Sequence, residues 1–492
     1  MLVWFMCLTG YTAGTVTYLS SEQTMTETNF AGFPYLPHTQ DERQEMLHEI
    51  GVRSFEELIS HIPAEVRAKT LELSAGLSEL ELTKHVAALA AKNKPASSSA
   101  SFLGGGSYRR FVPSIVPSVI SRGEFATAYT PYQPEVSQGS LQVIYEFQTA
   151  ICLLTGMEVA NASMYDGPTA CAEAALMAAR LNSRKKIVVS ASVNPEYEMV
   201  TQTYVNSCGL EWQTAPAKDG VTNIDALNLD DDVAALIVQY PNYFGALEDI
   251  SELAKKAHDK GALLVVVSEP ISLGLLTPPG EFDADIVVGD AQPCGNSLSF
   301  GGPSAGYMAC RKDFIRQLPG RLAGVTVDNR GNRAFTLTLQ TREQHIRRAK
   351  ATSNICTNQA LNALAMLVYI TAIGPGGLKQ LCLISAQRAH YLAEQLTQIP
   401  GVTLAYKQPF LNEFVIQVEQ PVSTLLSALK ERGVLAGIDL SAFRPELKNQ
   451  ILIAVTEMNS REDLDKFVQE FKTHCATAKP SAKREESSMM KV

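Results

Sequence analysis

The chain has 492 residues, of which 46% are hydrophobic, so it can bury a large core and is expected to form about two or three domains. Its formal net charge of -9 argues against a nucleic-acid or anionic-membrane surface, because phosphate binding depends on clustered Lys and Arg. Its nine cysteines are widely spaced and contain no CxxC pair, which indicates neither a zinc site nor a disulfide framework and favours a reducing compartment.

The first 24 residues are rich in apolar side chains and contain no Lys or Arg, and the first basic residue is Arg43. A secretory signal begins with positive charge and a mitochondrial presequence is rich in Arg, so neither is indicated. We expect translation to start at Met25 rather than Met1, with 1–24 a non-native or disordered extension. No apolar run approaches the roughly 18 to 20 residues of a membrane span, and a cytoplasmic protein is expected.

Residues 25–100 are expected to form a helical N-terminal segment. The stretch after Thr39 has acidic residues in its first turn and ends at Gly51, which is typical of a capped helix. Ser54 is a predicted N-cap for the next short helix, and an amphipathic pattern over 77–92 predicts a third.

Three consecutive glycines at 104–106 precede a stretch that contains Pro113 and Pro117. Glycines permit unusual backbone angles, and the prolines predict that no helix forms here. The stretch is either a connector or a loop laid against a ligand, and the glycines alone do not decide between the two.

A polar, Tyr-rich stretch leads into a helix that is predicted from about Gly139 to Leu154. Tyr129 and Tyr132 stand just outside the start of this helix. Taken alone, such aromatic side chains are more typical of packing than of a functional site.

A second loop turns into an Ala-rich helix near Gly167. The free N–H groups and the positive dipole end of such a helix suit an anion. Simple capping of the helix by Asp166 and Thr169 is an equally good interpretation.

Short β-branched runs alternate with helical segments in 101–334, which we assign to a large α/β domain. The predicted strands are 185–190, 234–240 and 262–268, and a helix is predicted at 249–260. Alternation of this kind implies a mostly parallel sheet that helices cover on both faces.

Residues 335–474 are expected to form a helix and a small α+β C-terminal domain, followed by a disordered tail at 475–492. The segment begins with a basic stretch, interpreted as a helix, in which four positive charges surround His345; a solvated helix face is the simplest explanation. The later elements are predicted as a helix at 372–398, strands at 402–406 and 413–418, a helix at 422–432 and a strand near 451.

The segment 283–310 is interpreted as strand, loop and strand, and its loop contains Gly301 and Gly302. Ligands of α/β proteins bind at the carboxyl ends of strands, where glycines let the backbone approach a bound group. The order resembles the segment of fold-type-I pyridoxal-phosphate (PLP) enzymes that carries the Schiff-base lysine. No lysine occurs between Lys260 and Lys312, so no such bond can form at this loop.

The place for that lysine is filled by Gln292, Pro293 and Cys294. At the end of the preceding strand, where a PLP enzyme places an Asp against the pyridine nitrogen, the chain has Val267 and Ser268. Both signature groups of a self-sufficient PLP site are therefore missing. A free-standing aminotransferase or cysteine desulfurase relative does not fit this loss.

Five ordered strings resemble the glycine dehydrogenase (decarboxylating) family, the P-protein of the glycine cleavage system, and the resemblance extends over roughly residues 33–470. The resemblance is to the N-terminal half of that protein, which many bacteria and archaea make as a separate subunit 1. The strings are FLGGGSY, YTPYQPEVSQGSLQ, YDGPTACAEA, GGPSAGY and REQHIRRAKATSNICTNQAL. The resemblance implies a PLP-dependent transferase fold of type I, here as a degenerate copy.

In that family the PLP lysine belongs to the C-terminal half, or to a separate subunit 2, which binds the cofactor covalently. The resemblance thus implies a subunit that is active only with its partner, in a heterotetramer. Together they would decarboxylate glycine on PLP and pass the aminomethyl group to the lipoyl arm of the H-protein. The alternative is a catalytically silent paralogue that acts as a scaffold or regulator.

The resemblance implies that loops of this chain complete the partner's pocket by contacting the cofactor or positioning glycine. The candidates are Tyr129, Tyr132, Gln138, Gly301, Gly302 and Thr357. A second group, Arg342, His345 and Arg347, is a candidate for a domain or subunit contact. Where the family has a His two residues after the Tyr of its glycine motif, this chain has Arg110, which could bind a carboxylate but not shuttle a proton.

Overall fold

The computed structural model describes residues 38–67 and 76–477. The predictions for 1–24, for the start at Met25 and for most of the C-terminal tail lie outside that range. The chain divides into two compact units, 1–92 and 93–492, and each is described by itself.

The described part of the first unit is helical, as the sequence predicts. It contains α1 (Gln40–Ile50), α2 (Phe55–Leu58) and α3 (Glu79–Ala90). Thr39 caps α1 in a reciprocal capping box, Ser54 caps α2, and Gly51 ends α1 with a φ of 88°. The caps read from the sequence are therefore confirmed.

The second unit contains the strands and the remaining helices. Its strands are β1 (Ala100–Ser101), β2 (Val159–Ala160), β3 (Lys186–Ser190), β4 (Glu211–Ala215), β5 (Ala217–Lys218), β6 (Val221–Thr222), β7 (Val233–Tyr240), β8 (Leu263–Ser268), β9 (Ile286–Asp290), β10 (Gly306–Cys310), β11 (Leu322–Val327), β12 (Arg333–Thr338), β13 (Val402–Leu404), β14 (Glu413–Val418), β15 (Val434–Leu435), β16 (Ile438–Asp439) and β17 (Gln450–Ala454). Its helices are α4 (Ile115–Ile120), α5 (Gly123–Ala126), α6 (Gln138–Thr155), α7 (Gly167–Asn182), α8 (Pro195–Ser207), α9 (Ile250–His258), α10 (Gln344–Arg347), α11 (Ala360–Thr397), α12 (Val422–Glu431) and α13 (Arg461–Thr477).

Seven strands form the main sheet in the order β2-β10-β9-β8-β7-β3-β4. The pairs from β4 through β9 are parallel, and β10 and β2 complete the sheet as antiparallel strands. Side chains of β8 alternate between two buried clusters, with Leu264 and Val266 on one face and Val265 and Val267 on the other. Because both faces are buried, the strands read as continuous apolar runs. The predicted mostly parallel sheet is confirmed.

A second, four-stranded antiparallel sheet has the order β13-β14-β17-β16. One of its faces packs with the second half of α11, α12 and α13 in a third apolar cluster. Phe102, which follows β1, is fully buried in this cluster, so the start of the glycine-rich loop is anchored on the smaller sheet.

The carboxyl ends of the parallel strands converge on the start of α7. Strand β9 ends at Asp290 and β8 at Ser268, while α7 begins at Gly167 after its N-cap Asp166. The same edge of the sheet therefore holds Ser268 and Gln292, which stand where a self-sufficient PLP site would have its aspartate and its lysine.

One local prediction was wrong at Pro117, which lies inside the short helix α4. A proline interrupts a helix because it lacks an N–H and crowds the preceding turn. Pro117 is the third residue of α4, in the first turn, where backbone N–H groups have no partner within the helix. The helix therefore tolerates it.

The basic stretch was wrongly interpreted as a helix. Only one α-helical turn, α10, forms there, and the long helix begins at Ala360 rather than at 372. Helix α11 is interrupted at Gly374, whose φ of 62° and ψ of 178° are not helical, and Pro375 follows. The predicted helix at 372–398 corresponds to the part after this break.

Two predicted boundaries fall inside regular elements. Strand β12 crosses residue 334, where the large domain was expected to end, and pairs with β11 along its whole length. Helix α13, which the sequence analysis did not identify, runs past Cys475, where the tail was expected to begin.

Helix α11 has the length and hydropathy of a membrane span, a property that core helices share. The segment before its break has about 14 residues, fewer than the roughly 20 that a span needs. The segment after the break carries Lys379, Arg388 and Glu394. Since both segments contribute buried residues to the apolar clusters, α11 is interpreted as a core helix.

Candidate active site

A cavity of about 440 Å³ lies where the strands of the main sheet end at their carboxyl edge; we call it the sheet-edge cavity. It is bounded by the glycine-rich loop, by the starts of α7 and α8 and by the loop that follows β9. Its lining residues are Gly105, Gly106, Ser107, Tyr165, Asp166, Pro168, Asn194, Glu196, Tyr197, Asp290, Gln292, Leu298, Gly301, Gly302, Pro303, Ser304 and Gln359.

Carboxylates occupy the start of α7, for which the sequence left two interpretations open, an anion-binding site or simple capping of the helix. The N–H of Gly167 donates to Asp290 Oδ2 at 3.0 Å, and the N–H of Thr169 donates to Asp166 Oδ1 at 2.8 Å. The side chain of Thr169 completes a capping box with Asp166. Capping by Asp166 and Thr169, the alternative interpretation, is therefore confirmed.

Gln292 stands in the place of the missing lysine and is committed to the backbone of the glycine-rich loop. Its Oε1 accepts from the N–H of Tyr108 at 2.9 Å, and its Nε2 donates to the carbonyl oxygens of Tyr108 at 3.0 Å and Asn296 at 2.9 Å. The amide is buried, and both its nitrogen and its oxygen are engaged with the backbone of this chain.

The strand end that would face a pyridine nitrogen offers no carboxylate from Val267 or Ser268. Val267 is buried in the apolar cluster, and the carbonyl oxygen of Ser268 accepts from the Tyr307 hydroxyl at 2.6 Å. A phosphate at this edge would meet Asp166 and Asp290 rather than free N–H groups. The residues of the sheet-edge cavity therefore do not fit PLP.

The glycine-rich loop is both a connector and a cavity wall. Glu413 on β14 accepts from the N–H of Gly105 at 2.7 Å and from the Tyr108 hydroxyl at 2.6 Å. On the opposite side, Asn194 Nδ2 donates to the carbonyl oxygen of Gly105 at 2.7 Å. Burial raises the pKa of the Glu413 carboxyl to about 7. The loop therefore connects other elements and also lines the sheet-edge cavity, while its contact with a ligand stays a prediction.

A second cavity of about 240 Å³, the outer cavity, contains two of the predicted site residues, Tyr129 and Thr357. Tyr129 is 81% exposed, so its ring is free to contact another molecule. Gln359 lines both cavities, which are therefore neighbours. The other lining residues are Phe125, Ala126, Ala128, Thr130, Pro131, Ser140, Val143, Ile144, Arg321, Asn358, Ala360, Leu361 and Leu364.

Arg321 is the buried cation of the outer cavity. Its guanidinium lies 5.6 Å from the centre of the Tyr132 ring, and its Nη1 donates to Asn358 Oδ1 at 3.3 Å. Its Nε lies 3.7 Å from Glu343 Oε2, which is an ion pair between two buried side chains. Such a pair fixes the guanidinium at the cavity wall.

Tyr132 and His345, predicted for different roles, meet beside this ion pair. Their rings are 5.4 Å apart in an edge-to-face arrangement, and His345 Nδ1 lies 3.6 Å from Glu343 Oε2. Arg347 is exposed, and its Nε donates to the carbonyl oxygen of Thr341 at 3.1 Å. His345 and Arg347 thus lie on one surface segment next to the outer cavity.

Two of the candidates use their side chains in hydrogen bonds to the backbone of this chain. Arg342 is buried and donates to the carbonyl oxygens of Leu318 and Gly320, so its contact is within this chain. Gln138 exchanges two hydrogen bonds of 2.9 Å with the backbone of Phe335 in β12 and donates to the carbonyl oxygen of Pro134 at 2.7 Å. Neither side chain is available to a ligand in this arrangement.

A family model described as "Glycine cleavage system P-protein" matches residues 34–471. The chain belongs to the glycine cleavage system P-protein family. It is 52% identical over 439 residues to a protein of Anoxybacillus flavithermus named "Probable glycine dehydrogenase (decarboxylating) subunit 1", a match that covers 89% of this chain and 98% of that relative. A protein of the same name from Geobacillus kaustophilus is 51% identical with the same coverage.

A solved structure described as glycine decarboxylase (P-protein) of the glycine cleavage system, in inhibitor-bound form, is 45% identical with a TM-score of 0.83. The match covers 90% of this chain and all of that one. A NifS-like protein and a Lactobacillus brevis glutamate decarboxylase, each 13% identical, match with TM-scores of 0.58 and 0.62. These last two show the fold alone, which is that of PLP-dependent enzymes of fold type I.

At the position where this P-protein family member departs from the family motif, the structure gives Arg110 an internal partner. Its Nη1 donates to Glu457 Oε2 at 2.7 Å and to Ser385 Oγ at 2.9 Å. The arginine therefore binds a carboxylate, as its chemistry suggests, but the carboxylate belongs to this chain.

Sequence reasoning missed Asp290, Tyr197 and Arg321 as cavity residues. Asp290 carried a usable signal, since it is the first charged residue after the β-branched run of β9 and so lies at the carboxyl end of a strand. Tyr197 and Arg321 stand in local sequences without a distinctive pattern, and only the tertiary structure places them at the cavities.

Proposed function

We propose that this chain is the subunit of glycine dehydrogenase (aminomethyl-transferring) that carries no Schiff-base lysine. With a lysine-bearing subunit 2 it would decarboxylate glycine and transfer the aminomethyl group, with release of CO2, to the lipoyl group of the H-protein. The names of its relatives support this reaction. The observation that carries the division of labour is Gln292, whose buried amide holds the backbone of Tyr108 where a PLP enzyme has its lysine.

PLP, held covalently by the partner subunit, supplies the electron sink for the decarboxylation. We assign to this chain the completion of the partner's pocket. A pocket closed by a second protein excludes water and strengthens the electrostatic interactions inside it. We further propose a cytoplasmic heterotetramer of the two subunits.

The outer cavity is the part of this chain that we assign to the shared pocket. Tyr129 is exposed at its rim, and Thr357 adds a hydroxyl to its wall. Arg321, held beside Glu343 by its ion pair, contributes guanidinium N–H donors to the wall, which suit the carboxylate of glycine or the phosphate of the cofactor. Gly301 and Gly302 line the sheet-edge cavity next to it, and His345 and Arg347 are proposed for the contact between subunits.

The test is the glycine-decarboxylation rate of the two purified subunits, measured separately and mixed with the H-protein. We expect activity from the mixture and none from this chain alone. Tyr129→Ala in this chain is expected to lower the rate of the mixture by on the order of tenfold or more, since it removes a positioned contact at the rim. Phe443→Ala serves as a control, because Phe443 is an exposed aromatic residue that lines neither cavity.

Unchanged turnover with Tyr129→Ala would instead favour a scaffold or regulator, the alternative role. Activity of this chain without its partner would contradict both roles. Gln138→Ala is a poor probe, because loss of its hydrogen bonds to Phe335 would disturb β12 whatever the function.

A further inference from the structure

The sheet-edge cavity has the opposite charge from a PLP site. Three carboxylates line it, those of Asp166, Glu196 and Asp290, and no Lys, Arg or His is among its lining residues. An anionic cofactor is attracted to free N–H groups and cations. The cavity therefore lacks the lysine of a PLP site and also has an acidic lining, which suits a cation rather than an anion.

The carboxylates retain unused acceptor capacity. Asp166 uses Oδ1 to cap α7, while its Oδ2 accepts no hydrogen bond from any residue in 38–67 or 76–477. Glu196 is exposed at the rim, and across the same ranges its carboxylate also has no hydrogen-bond partner. Asp290 accepts hydrogen bonds from Gly167, Gln292 and Ser304, and burial raises the pKa of its carboxyl, so the ammonium charge falls to Asp166 and Glu196.

Tyr197 is a second, independent indication of a ligand. Its side chain is only 8% exposed, yet within the described part of the chain its hydroxyl makes no hydrogen bond. The hydroxyl lies at the start of α7, because a Cβ added to Gly167 would be 1.8 Å from it. Burial, together with the charge of Asp290, raises the pKa of Tyr197, which keeps the hydroxyl neutral and able to accept a hydrogen bond from a cation.

The ligand class follows from these groups. An ammonium ion has three N–H donors and no acceptor, which complements Asp166 Oδ2, the rim carboxylate of Glu196 and the Tyr197 hydroxyl. A metal ion is disfavoured, because no three His, Cys, Asp or Glu side chains in the described ranges are placed to hold one. The volume of about 440 Å³ falls within the about 300 to 1,000 Å³ of small-molecule pockets.

We propose that the sheet-edge cavity binds a primary ammonium group, either of a free small amine or of a lysine side chain of a protein partner. Asp166 and Glu196 neutralise the ammonium charge, and the Tyr197 hydroxyl accepts one of its hydrogen bonds. This site belongs to this chain alone and stands whether or not the chain serves the proposed decarboxylation.

Ethylamine is the probe, titrated into the complete chain by calorimetry and by ligand-observed NMR. Ethanol and acetate have the same size but lack the cation. We expect saturable binding of ethylamine at one site and no saturable binding of the other two. Absence of saturable ethylamine binding, or acetate binding that is equally tight, would overturn the proposal.

Three conservative variants locate the site. Asp166→Asn keeps the helix cap and is expected to weaken ethylamine binding on the order of tenfold, because it removes a charged hydrogen-bond acceptor. Glu196→Gln and Tyr197→Phe are each expected to weaken it about threefold. None of the three removes a hydrogen bond within the described part of the fold, and Glu446→Gln, on an exposed residue outside the cavity, is the matched control.

Wild-type affinity in all three cavity variants would place any ethylamine binding elsewhere and overturn the assignment.

The two sources of the ammonium group are separated by adding the lysine-bearing subunit. Persistent ethylamine binding in the complex indicates a free amine. Loss of ethylamine binding on complex formation, with a weaker complex for Asp166→Asn, indicates a lysine side chain of the partner.

Discussion

Glu413 joins the glycine-rich loop to the smaller sheet, and its protonation is expected to control the pH dependence of stability. One carboxyl oxygen accepts from the N–H of Gly105 and the other from the Tyr108 hydroxyl. Burial raises its pKa from the usual 4.5 to about 7, and the negative charge of Glu269 adds to the effect. The perturbation to test is Glu413→Gln, which resembles the protonated carboxyl in shape and charge.

The sign follows from proton binding. The folded chain holds the Glu413 proton more tightly than the unfolded chain, so its contribution to stability is complete below pH 4.5 and is lost as the pH rises through about 7. At about 1.4 kcal/mol for each unit of pKa, the interval from 4.5 to about 7 corresponds to about 3 kcal/mol. Gln escapes this loss, because it carries no ionisable group.

The assay is urea unfolding of the wild type and of Glu413→Gln on either side of the pKa. At about pH 8 the variant is expected to gain up to about 3 kcal/mol relative to the wild type, and at about pH 5 most of that difference disappears. Glu446→Gln, on an exposed residue, should show no such dependence. A difference that does not change with pH, or one that grows toward acid, would refute the reasoning.

Two further substitutions test the groups that hold the cavities. Gln292→Ala removes three hydrogen bonds and leaves the buried N–H of Tyr108 without an acceptor, so the free energy of unfolding should fall by about 2 kcal/mol in urea titrations. Arg321→Met removes the buried cation beside the Glu343 carboxylate and leaves it only the partly exposed His345, so it should cost about 3 kcal/mol, seen as a lower Tm, whereas Arg316→Met on the surface should leave the Tm unchanged. A Tm equal to that of the wild type for Arg321→Met would mean that the ion pair is not formed.

The elements that the sequence predicted well are those in which local pattern and tertiary environment agree. The run ALLVVVS became β8 because strands buried on both faces need continuous apolar side chains. Thr39 and Ser54 cap their helices because a cap is a contact within three residues. Gly51 likewise ends α1 through a local backbone requirement.

The wrong predictions concern residues whose role depends on their position within an element or on a contact with a residue far away in the sequence. Pro117 is compatible with a helix only because it falls in the first turn, which no composition rule specifies. Gln138 was a candidate for ligand contact because it stands at a helix start, but Phe335, almost two hundred residues away, takes its amide. Arg342 is similarly occupied by Gly320.

The residues of the candidate site were likewise predictable only where the sequence pattern is local. The absence of lysine at Gln292 was visible in the sequence, and it predicts that this loop cannot hold PLP through a Schiff base. That Asp290 closes the start of α7 was not visible, because the hydrogen bond joins residues more than a hundred positions apart. Nor could the meeting of Tyr132 and His345 beside Glu343 be read from their spacing.

The most direct measurement is borohydride reduction of the assembled complex with PLP, followed by peptide mapping of both subunits. Reduction fixes the cofactor to whichever lysine held it. The account predicts label on a lysine of the partner subunit and none on this chain. In the described part of this chain, Gln292 stands in place of the lysine, and two carboxylates stand where the cofactor phosphate would need hydrogen-bond donors. A labelled lysine in this chain would contradict it.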